Sequence, residues 1–230
     1  MKNLLIRFSL LCLVIATVSC SKDDSKSSFT PKMASIDVSK IAPAAMETAN
    51  PEAYSLLTQM SGFMAMPSAY MHNPNSKTGT TSGTWTSGDY TIAYTYGDDG
   101  TQYTFSYVGT NPQGQECFNI SGWENMDGSA GSWDYSINTS VLGNPDGGNY
   151  NVSFDWNTND QGGYHFDMSF DMGDFGYHYV MNTFANYAGN MSISYGNPLE
   201  LTDYVEWTAT GGTWTDYTTD PDTVMEWVNN

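Results

Sequence analysis

The stretch that decides the fold is the run FDMSFDM at residues 166–172, in which every second residue is apolar. Successive side chains of a strand point to opposite faces of a sheet, so this period of two predicts a strand with one buried and one polar face. Six further runs of this kind lie between residues 90 and 209. Turns rich in glycine and aspartate separate them, such as GDDG at residues 97–100 and GDFG at 173–176.

The apolar face of such a sheet must be buried against another layer or against itself. We therefore expect a mainly β protein, an up-and-down antiparallel meander of about nine to ten strands. One helix cannot cover so many strands. We expect the sheet to curl into a partial or closed barrel around an N-terminal helix, which also hides the strand edges.

The helix is predicted from residues that start and stop helices. Asn50 suits the N-cap and Pro51 the first helical position. Tyr54 and Leu57 then recur at helical spacing, and Pro67 ends the segment. The chain thus divides into four segments: a signal peptide at 1–19, a flexible tether at 20–35, a helical segment packing on the sheet at 36–77, and an acidic β domain at 78–230.

Charge is distributed unevenly along the chain. No lysine or arginine occurs from Thr78 to Asn230, a stretch with 20 acidic residues, and the whole chain has a formal net charge of −18. A body of this charge repels phosphate, so nucleic acid is excluded as a partner. Without arginine it also lacks the fork that binds phosphate and carboxylate ligands, which leaves neutral ligands.

The first residues have the pattern of a processing signal. Lys2 and Arg7 form a charged region before an apolar run at residues 8–18, and this run is too short to span a bilayer comfortably. The run leads into TVSC at residues 17–20, which resembles the lipobox of bacterial lipoproteins. That resemblance implies that Cys20 is lipidated, becomes the mature N-terminus and anchors the protein in membrane lipid.

The next four residues are Ser21, Lys22, Asp23 and Asp24, a lysine followed by two acids. They resemble the surface-export signal of Bacteroidota lipoproteins. The resemblance implies a lipid-anchored protein of the outer membrane that faces the exterior, with outer-membrane lipid as its partner through Cys20.

Two single residues of the β domain have candidate roles. Thr223 lies in DTV at residues 222–224, which resembles the acid–threonine–aliphatic site at which Bacteroidota glycosylate secreted proteins. Cys117 is the cysteine that remains once the signal is removed and Cys20 carries lipid, so no disulfide can form within the mature chain. A lone cysteine in a strand is typical of a buried apolar position.

The apolar alternation also predicts the register of two hairpins. Across the turn at residues 173–176 we expect Met172 opposite Tyr177, and across the preceding loop Trp156 opposite Tyr164. Both registers pair apolar residues on one face and polar residues on the other.

On the polar face, these registers bring each histidine of the sheet opposite an aspartate. The candidate polar pairs are Asp155–His165 and Asp171–His178. His165 and Asp171 lie roughly 20 Å apart along one strand at ~3.3 Å per residue, so the pairs cannot share one metal. We interpret them as two surface ion pairs rather than two pH-sensitive sites.

None of the motifs of the common hydrolases, metalloproteases, redox proteins or nucleotide-binding proteins occurs, and we expect no catalytic residue, metal or cofactor. The leading hypothesis is a non-catalytic surface lipoprotein that binds a neutral ligand or partner, a glycan, a lipid or another envelope protein, or that serves as an envelope component. The alternative is a carboxylate-based hydrolase, such as a glycosidase, on a β scaffold.

The anchor can be tested directly. We expect Cys20→Ala to release the protein in soluble form, because the lipid is its attachment to the membrane. Replacing Lys22, Asp23 and Asp24 with alanine is expected to leave the protein lipidated but facing the periplasm. Digestion by external protease measures this: equal digestion of the triple variant and the wild type would contradict the export signal.

Overall fold

The computed structural model describes residues 44–58, 81–144, 147–186 and 188–228. Within these residues, twelve antiparallel strands form one sheet, and their order in the sheet is their order in the chain. The prediction of a mainly β, up-and-down antiparallel meander is confirmed, while the predicted number of strands was too low.

Among the described residues, two short helical segments precede the sheet. They are α1, Ala44–Ala49, and α2, residues 51–58. The strands are β1 Thr81–Ser87, β2 Tyr90–Asp98, β3 Gln102–Thr110, β4 Glu116–Asn125, β5 Ala130–Asn138, β6 Asn149–Thr158, β7 Tyr164–Asp171, β8 Gly176–Thr183, β9 Gly189–Gly196, β10 Leu199–Thr208, β11 Gly211–Asp216 and β12 Thr223–Val228.

The helix start predicted at Asn50 is confirmed. The Asn50 side-chain Oδ1 accepts a hydrogen bond of 3.1 Å from the backbone N–H of Ala53, which is N-cap geometry, and Pro51 occupies the first helical position. Leu57 is buried and Tyr54 packs against the core. Helix α1, on the other side of Asn50, was not predicted. The predicted helix end at Pro67 lies outside the described residues.

The apolar face of the sheet forms a single core with the helical segments. Met46, Ala53 and Leu57 belong to the same cluster of buried residues as the inward side chains of β2 to β12. Strands β1 and β12 are the two ends of the sheet and do not pair with each other. Of the predicted partial or closed barrel, the closed form is therefore wrong. Side chains of the helical segments pack on part of the apolar face.

Glycines make room for the largest rings of the core. Gly122 of β4 lies directly between Phe105 of β3 and Trp133 of β5, and these two rings meet above it with centroids 5.7 Å apart. Gly131 likewise lies opposite Trp156, whose ring covers it. The same direct pairing of a glycine with a ring across two strands recurs at Gly83–Tyr94, Gly109–Phe118, Gly189–Trp207 and Gly212–Trp227.

These glycines also explain why strands were missed from the sequence. A glycine at an inward position interrupts the apolar alternation, as Gly122 does in β4 and Gly212 in β11. All seven runs with unbroken alternation are strands, and they are β2, β3 and β6 to β10.

A methyl group added under one of these rings should destabilise the fold. A Cβ at Gly122 would overlap the backbone carbonyl oxygen of Ser132 and lie 2.8 Å from Trp133 Cδ1, and the backbone cannot swing away as a flexible side chain can. We expect Gly122→Ala to lower the free energy of unfolding by roughly 1–3 kcal/mol, as overpacking does. Urea unfolding measures the change.

Gly148→Ala is the matched control for this substitution. No atom lies within 4 Å of a Cβ built at Gly148, so the methyl group should be tolerated there. An equal loss of stability in both variants would mean that the space under the rings is not what selects glycine.

Candidate functional site

The registers predicted for β6–β7 and β7–β8 are wrong. Tyr177 lies opposite Phe170 instead of Met172, and Tyr164 lies opposite Thr158 instead of Trp156. In each hairpin every residue has moved by two positions relative to its predicted partner, so the inward and outward faces were still assigned correctly.

Side chains in the turns account for both shifts. Asp171 Oδ1 accepts a hydrogen bond of 2.8 Å from the N–H of Gly173, so the β7–β8 turn begins one residue earlier than predicted. Asn159 Oδ1 accepts from the N–H groups of Gln161 and Gly163, and its Nδ2 donates to the carbonyl of Thr183. These hydrogen bonds hold the loop together at Asn159, so β6 continues to Thr158, two residues beyond the predicted partner of Tyr164.

The predicted Asp155–His165 and Asp171–His178 pairs are consequently absent, although all four side chains lie on the polar face. His178 lies opposite Ser169, and its Nε2 lies 2.8 Å from Oδ1 of Asp167, two residues further along β7. His165 lies opposite Asn157 and Asn182, and its Nδ1 is 2.8 Å from Asn182 Oδ1.

The His178–Asp167 contact is a partly exposed hydrogen bond, which is an ion pair only when His178 is protonated. The two side chains are 33 % and 41 % exposed, and pairs of this kind contribute ~0–1 kcal/mol to stability. Asp155 is exposed and lies opposite Asp167, and Asp171 lies at the end of β7 opposite Gly176. The histidines therefore do not form a site with the aspartates predicted for them.

A shallow groove of about 320 Å³ lies on the polar face, across the four central strands β4 to β7. Its floor is two adjacent cross-strand rows of short polar side chains. The first row is Asn119, Ser136, Asn151 and Asp171, and the second is Ser121, Asp134, Ser153 and Ser169. The groove therefore offers hydroxyl and amide groups in a regular array, with carboxylates at Asp134 and Asp171.

A large ring lies next to the groove on the polar face. Trp123 of β4 is half-buried and pairs with Thr104 and Ser132, both polar. It lies two residues along β4 from Ser121, about 7 Å at ~3.4 Å per residue. The ring therefore stands beside the groove.

The tryptophans could not be sorted into buried and exposed from the sequence, whereas the structure separates them. Trp133, Trp156, Trp207 and Trp227 are buried, and Trp85 and Trp214 pack against the core. Trp123 is the exception. Its position in alternation with Asn119 and Ser121 was a signal that could have revealed its orientation.

A second polar cluster lies on the apolar face, where the alternation of β10 is broken. The register shifts between Leu201 and Asp203, which turns Leu201 outward, opposite Ser194. Asp203 keeps the phase of Val205 and therefore lies on the apolar face, opposite Ile193 and Asp216. Trp214 Nε1 donates a 3.1 Å hydrogen bond to Asp203 Oδ1. Asp216 is only 8 % exposed and accepts hydrogen bonds from the backbone and hydroxyl of Thr218.

The environment of Asp203 disfavours its ionised form. Burial raises the pKa of the Asp203 carboxyl above its usual range, hydrogen bonds from Trp214 and Thr202 lower it, and the Asp216 carboxylate raises it. The apolar residues Leu199, Leu201 and Val205 have the same spacing as Asp203, so the sequence predicted one face for all of them and gave no signal of the bulge.

The remaining candidates have simple surroundings. Cys117 is buried, as predicted, and burial raises the pKa of its thiol. Thr223 is exposed at the start of β12, and its hydroxyl lies 3.0 Å from that of Thr219. Cys20 and the export-signal residues Ser21, Lys22, Asp23 and Asp24, on which the lipoprotein prediction depends, lie outside the described residues.

The described residues contain neither a candidate metal cluster nor a candidate membrane-spanning helix. No group of three or more histidine, cysteine, aspartate or glutamate side chains there is placed to hold a metal ion. No helix among these residues is long and apolar enough to cross a membrane.

Comparisons with known proteins identify no relative. No protein-family model matches the chain, and no curated protein and no solved structure matches it either.

The buried carboxyl gives a testable pH dependence. A raised pKa in the folded state means that Asp203 favours folding below its unfolded pKa of ~3.9, and that this contribution is lost as the pH rises through the folded pKa. Asparagine resembles the protonated acid and keeps the acceptor for Trp214. We expect Asp203→Asn to raise the melting temperature at pH 7, with the gain shrinking as the pH falls toward 4.

Asp155→Asn separates this effect from a general loss of negative charge. Asp155 is exposed on the polar face, and its substitution changes the net charge equally. Thermal melts of both variants between pH 3 and pH 8 decide the matter: gains of equal size and equal pH dependence would contradict a specific role of burial.

Proposed function

We propose that the protein is a non-catalytic, surface-exposed lipoprotein, anchored in the outer membrane through Cys20, that binds a neutral glycan on the polar face of its sheet. The observation that supports this most is the placement of Trp123 beside the groove of β4 to β7. A half-buried ring next to rows of hydroxyl, amide and carboxylate groups is the combination that a sugar requires.

The chemistry of the groove suits a ligand rich in hydroxyl groups. Serine hydroxyls and the amides of Asn119 and Asn151 both donate and accept hydrogen bonds, and Asp134 and Asp171 accept them from hydroxyl donors. The ring of Trp123 offers an apolar surface on which a sugar ring can stack. A phosphorylated or carboxylated ligand would meet these carboxylates with no lysine or arginine from residue 78 onward to compensate them.

The packing of the apolar face favours a glycan over a lipid. Its central side chains, such as Trp133, Phe166 and Met191, are completely buried against one another, and Met46 and Leu57 of the helical segments pack into the same cluster. A bound acyl chain would have to displace these contacts.

A glycoside hydrolase is the second candidate, because the groove contains two carboxylates. Asp134 and Asp171 lie two strands and one cross-strand row apart, on β5 and β7, which is about 12 Å between their backbones at ~4.8 Å per strand and ~3.4 Å per residue. That exceeds the ~6.5–9.5 Å between the carboxylates of inverting glycosidases, so the two side chains would have to extend toward each other.

Binding to an array of neutral and anionic polysaccharides tests the proposal. We expect neutral polysaccharides to bind, and Trp123→Ala to weaken binding by about tenfold or more, which corresponds to ~1.4 kcal/mol. Trp123→Phe, which keeps a ring, should retain most of the affinity. Tyr217→Ala is the control, because it removes a ring that is 40 % exposed but lies beyond β11. It should leave the affinity for polysaccharide unchanged.

Two outcomes would contradict the proposal. Equal binding by Trp123→Ala and the wild type would show that the groove and its ring are not the site. Release of reducing sugars by the wild type, abolished in both Asp134→Asn and Asp171→Asn, would establish the hydrolase instead.

A further inference from the structure

The last strand of the sheet has one edge that no described strand covers. Strand β12 pairs with β11 along its whole length, from Gly211 opposite Val228 to Asp216 opposite Thr223, with no bulge. On its other side it has no strand partner among the described residues, although helix α1 is in contact with β12. Every second N–H and C=O group of such an edge is available to another strand.

The side chains of β12 make this edge unusually apolar. Val224 is 58 % exposed, Met225 37 % and Val228 72 %, whereas Trp227 is buried and holds the strand against the core. Edge strands are usually protected by lysine, proline or a bulge, and TVMEWV has none of these. The edge therefore resembles one that accepts a strand.

The opposite edge is less suited to pairing. Strand β1 has the sequence TSGTWTS, with Gly83 in its middle and Trp85 as its one large apolar side chain. Trp85 packs against the core beside Tyr94 instead of facing the edge freely. Glycine weakens a strand, so β12 is the edge at which an added strand would gain more.

Charge defines the occupant. Glu226 is exposed on β12 itself, and Asp220 and Asp222 are exposed in the turn before it. No lysine or arginine occurs between residues 78 and 230 to neutralise them. An incoming segment with lysine or arginine would therefore be attracted to this edge, and an acidic one repelled.

A second copy of the chain fits this edge poorly. The antiparallel register that pairs Val224 of one β12 strand with Val228 of the other also places the two Glu226 side chains opposite each other. Two bodies of the same strongly negative charge would also be brought together.

We propose that the free edge of β12 binds an extended segment of another protein, with basic residues alternating with apolar ones, as an added thirteenth strand. Backbone hydrogen bonds to the edge supply the affinity, as in other cases of strand addition, and Glu226 with its neighbouring aspartates selects the basic sequence. The edge lies away from the groove of β4 to β7, so this interaction is independent of glycan binding.

Two labelled heptapeptides serve as probes, the basic KVTVKVT and the acidic EVTVEVT. With the full mature chain, fluorescence anisotropy should show binding of the basic peptide only. We expect Glu226→Lys to weaken that binding at least fivefold. Glu206→Lys is the matched control. Glu206 of β10 lies in the same cross-strand row as Glu226 and is also exposed, and its substitution changes the net charge by the same amount. It should change the affinity less than twofold.

Amide hydrogen exchange locates the peptide. Binding should slow exchange at alternate residues between Thr223 and Val228 and leave β4 to β7 unchanged. Protection of the β12 edge in the absence of peptide would overturn the proposal, because the chain itself or a second copy would then cover the edge. Equal weakening by Glu226→Lys and Glu206→Lys, or no binding, would overturn it as well.

Discussion

The packing of large rings over glycines is the constraint on which most of this sheet depends. A tryptophan on a sheet face needs space beside it, and a glycine directly opposite on the next strand supplies that space. Moving a strand by one residue would put the glycine on the polar face, and moving it by two would put a Cβ under the ring. At Gly122–Trp133 and Gly131–Trp156 the shapes of the side chains therefore fix the register of β4 to β6.

The centre of the sheet shows what happens without this constraint. The inward rows of β6 to β8 contain no glycine: Phe154 meets Met168, which meets Tyr179. A shift of two residues exchanges one apolar pair for another, so side-chain patterns alone do not distinguish the registers. The asparagine and aspartate turns at Asn159 and Asp171 decide between them. This is where the register inferred from the sequence was wrong.

Period-two alternation was enough to predict the fold class, the seven regular strands and the division into an apolar and a polar face. It did not predict β4 and β11, in which an inward glycine interrupts the apolar run, because there the information lies in a ring on another strand. It also could not reveal that Leu201 faces outward while Asp203 faces inward, since the bulge between them changes the face without changing the spacing. The groove required the pairing of four strands, of which the sequence had predicted only β6 and β7.

Open edges and acidity are connected in this molecule. A sheet of twelve strands that does not close has two edges, and edges invite copies of the same chain to pair. Lysine is a common defence, but the sheet contains none. Its 20 carboxylates between residues 78 and 230 can serve the same purpose, because every copy repels every other at distances within the screening length of ~8 Å at physiological salt. Such repulsion depends on the sign of the approaching molecule's charge and not on its shape. It opposes a copy of this chain and leaves the edge open to a segment of the opposite charge.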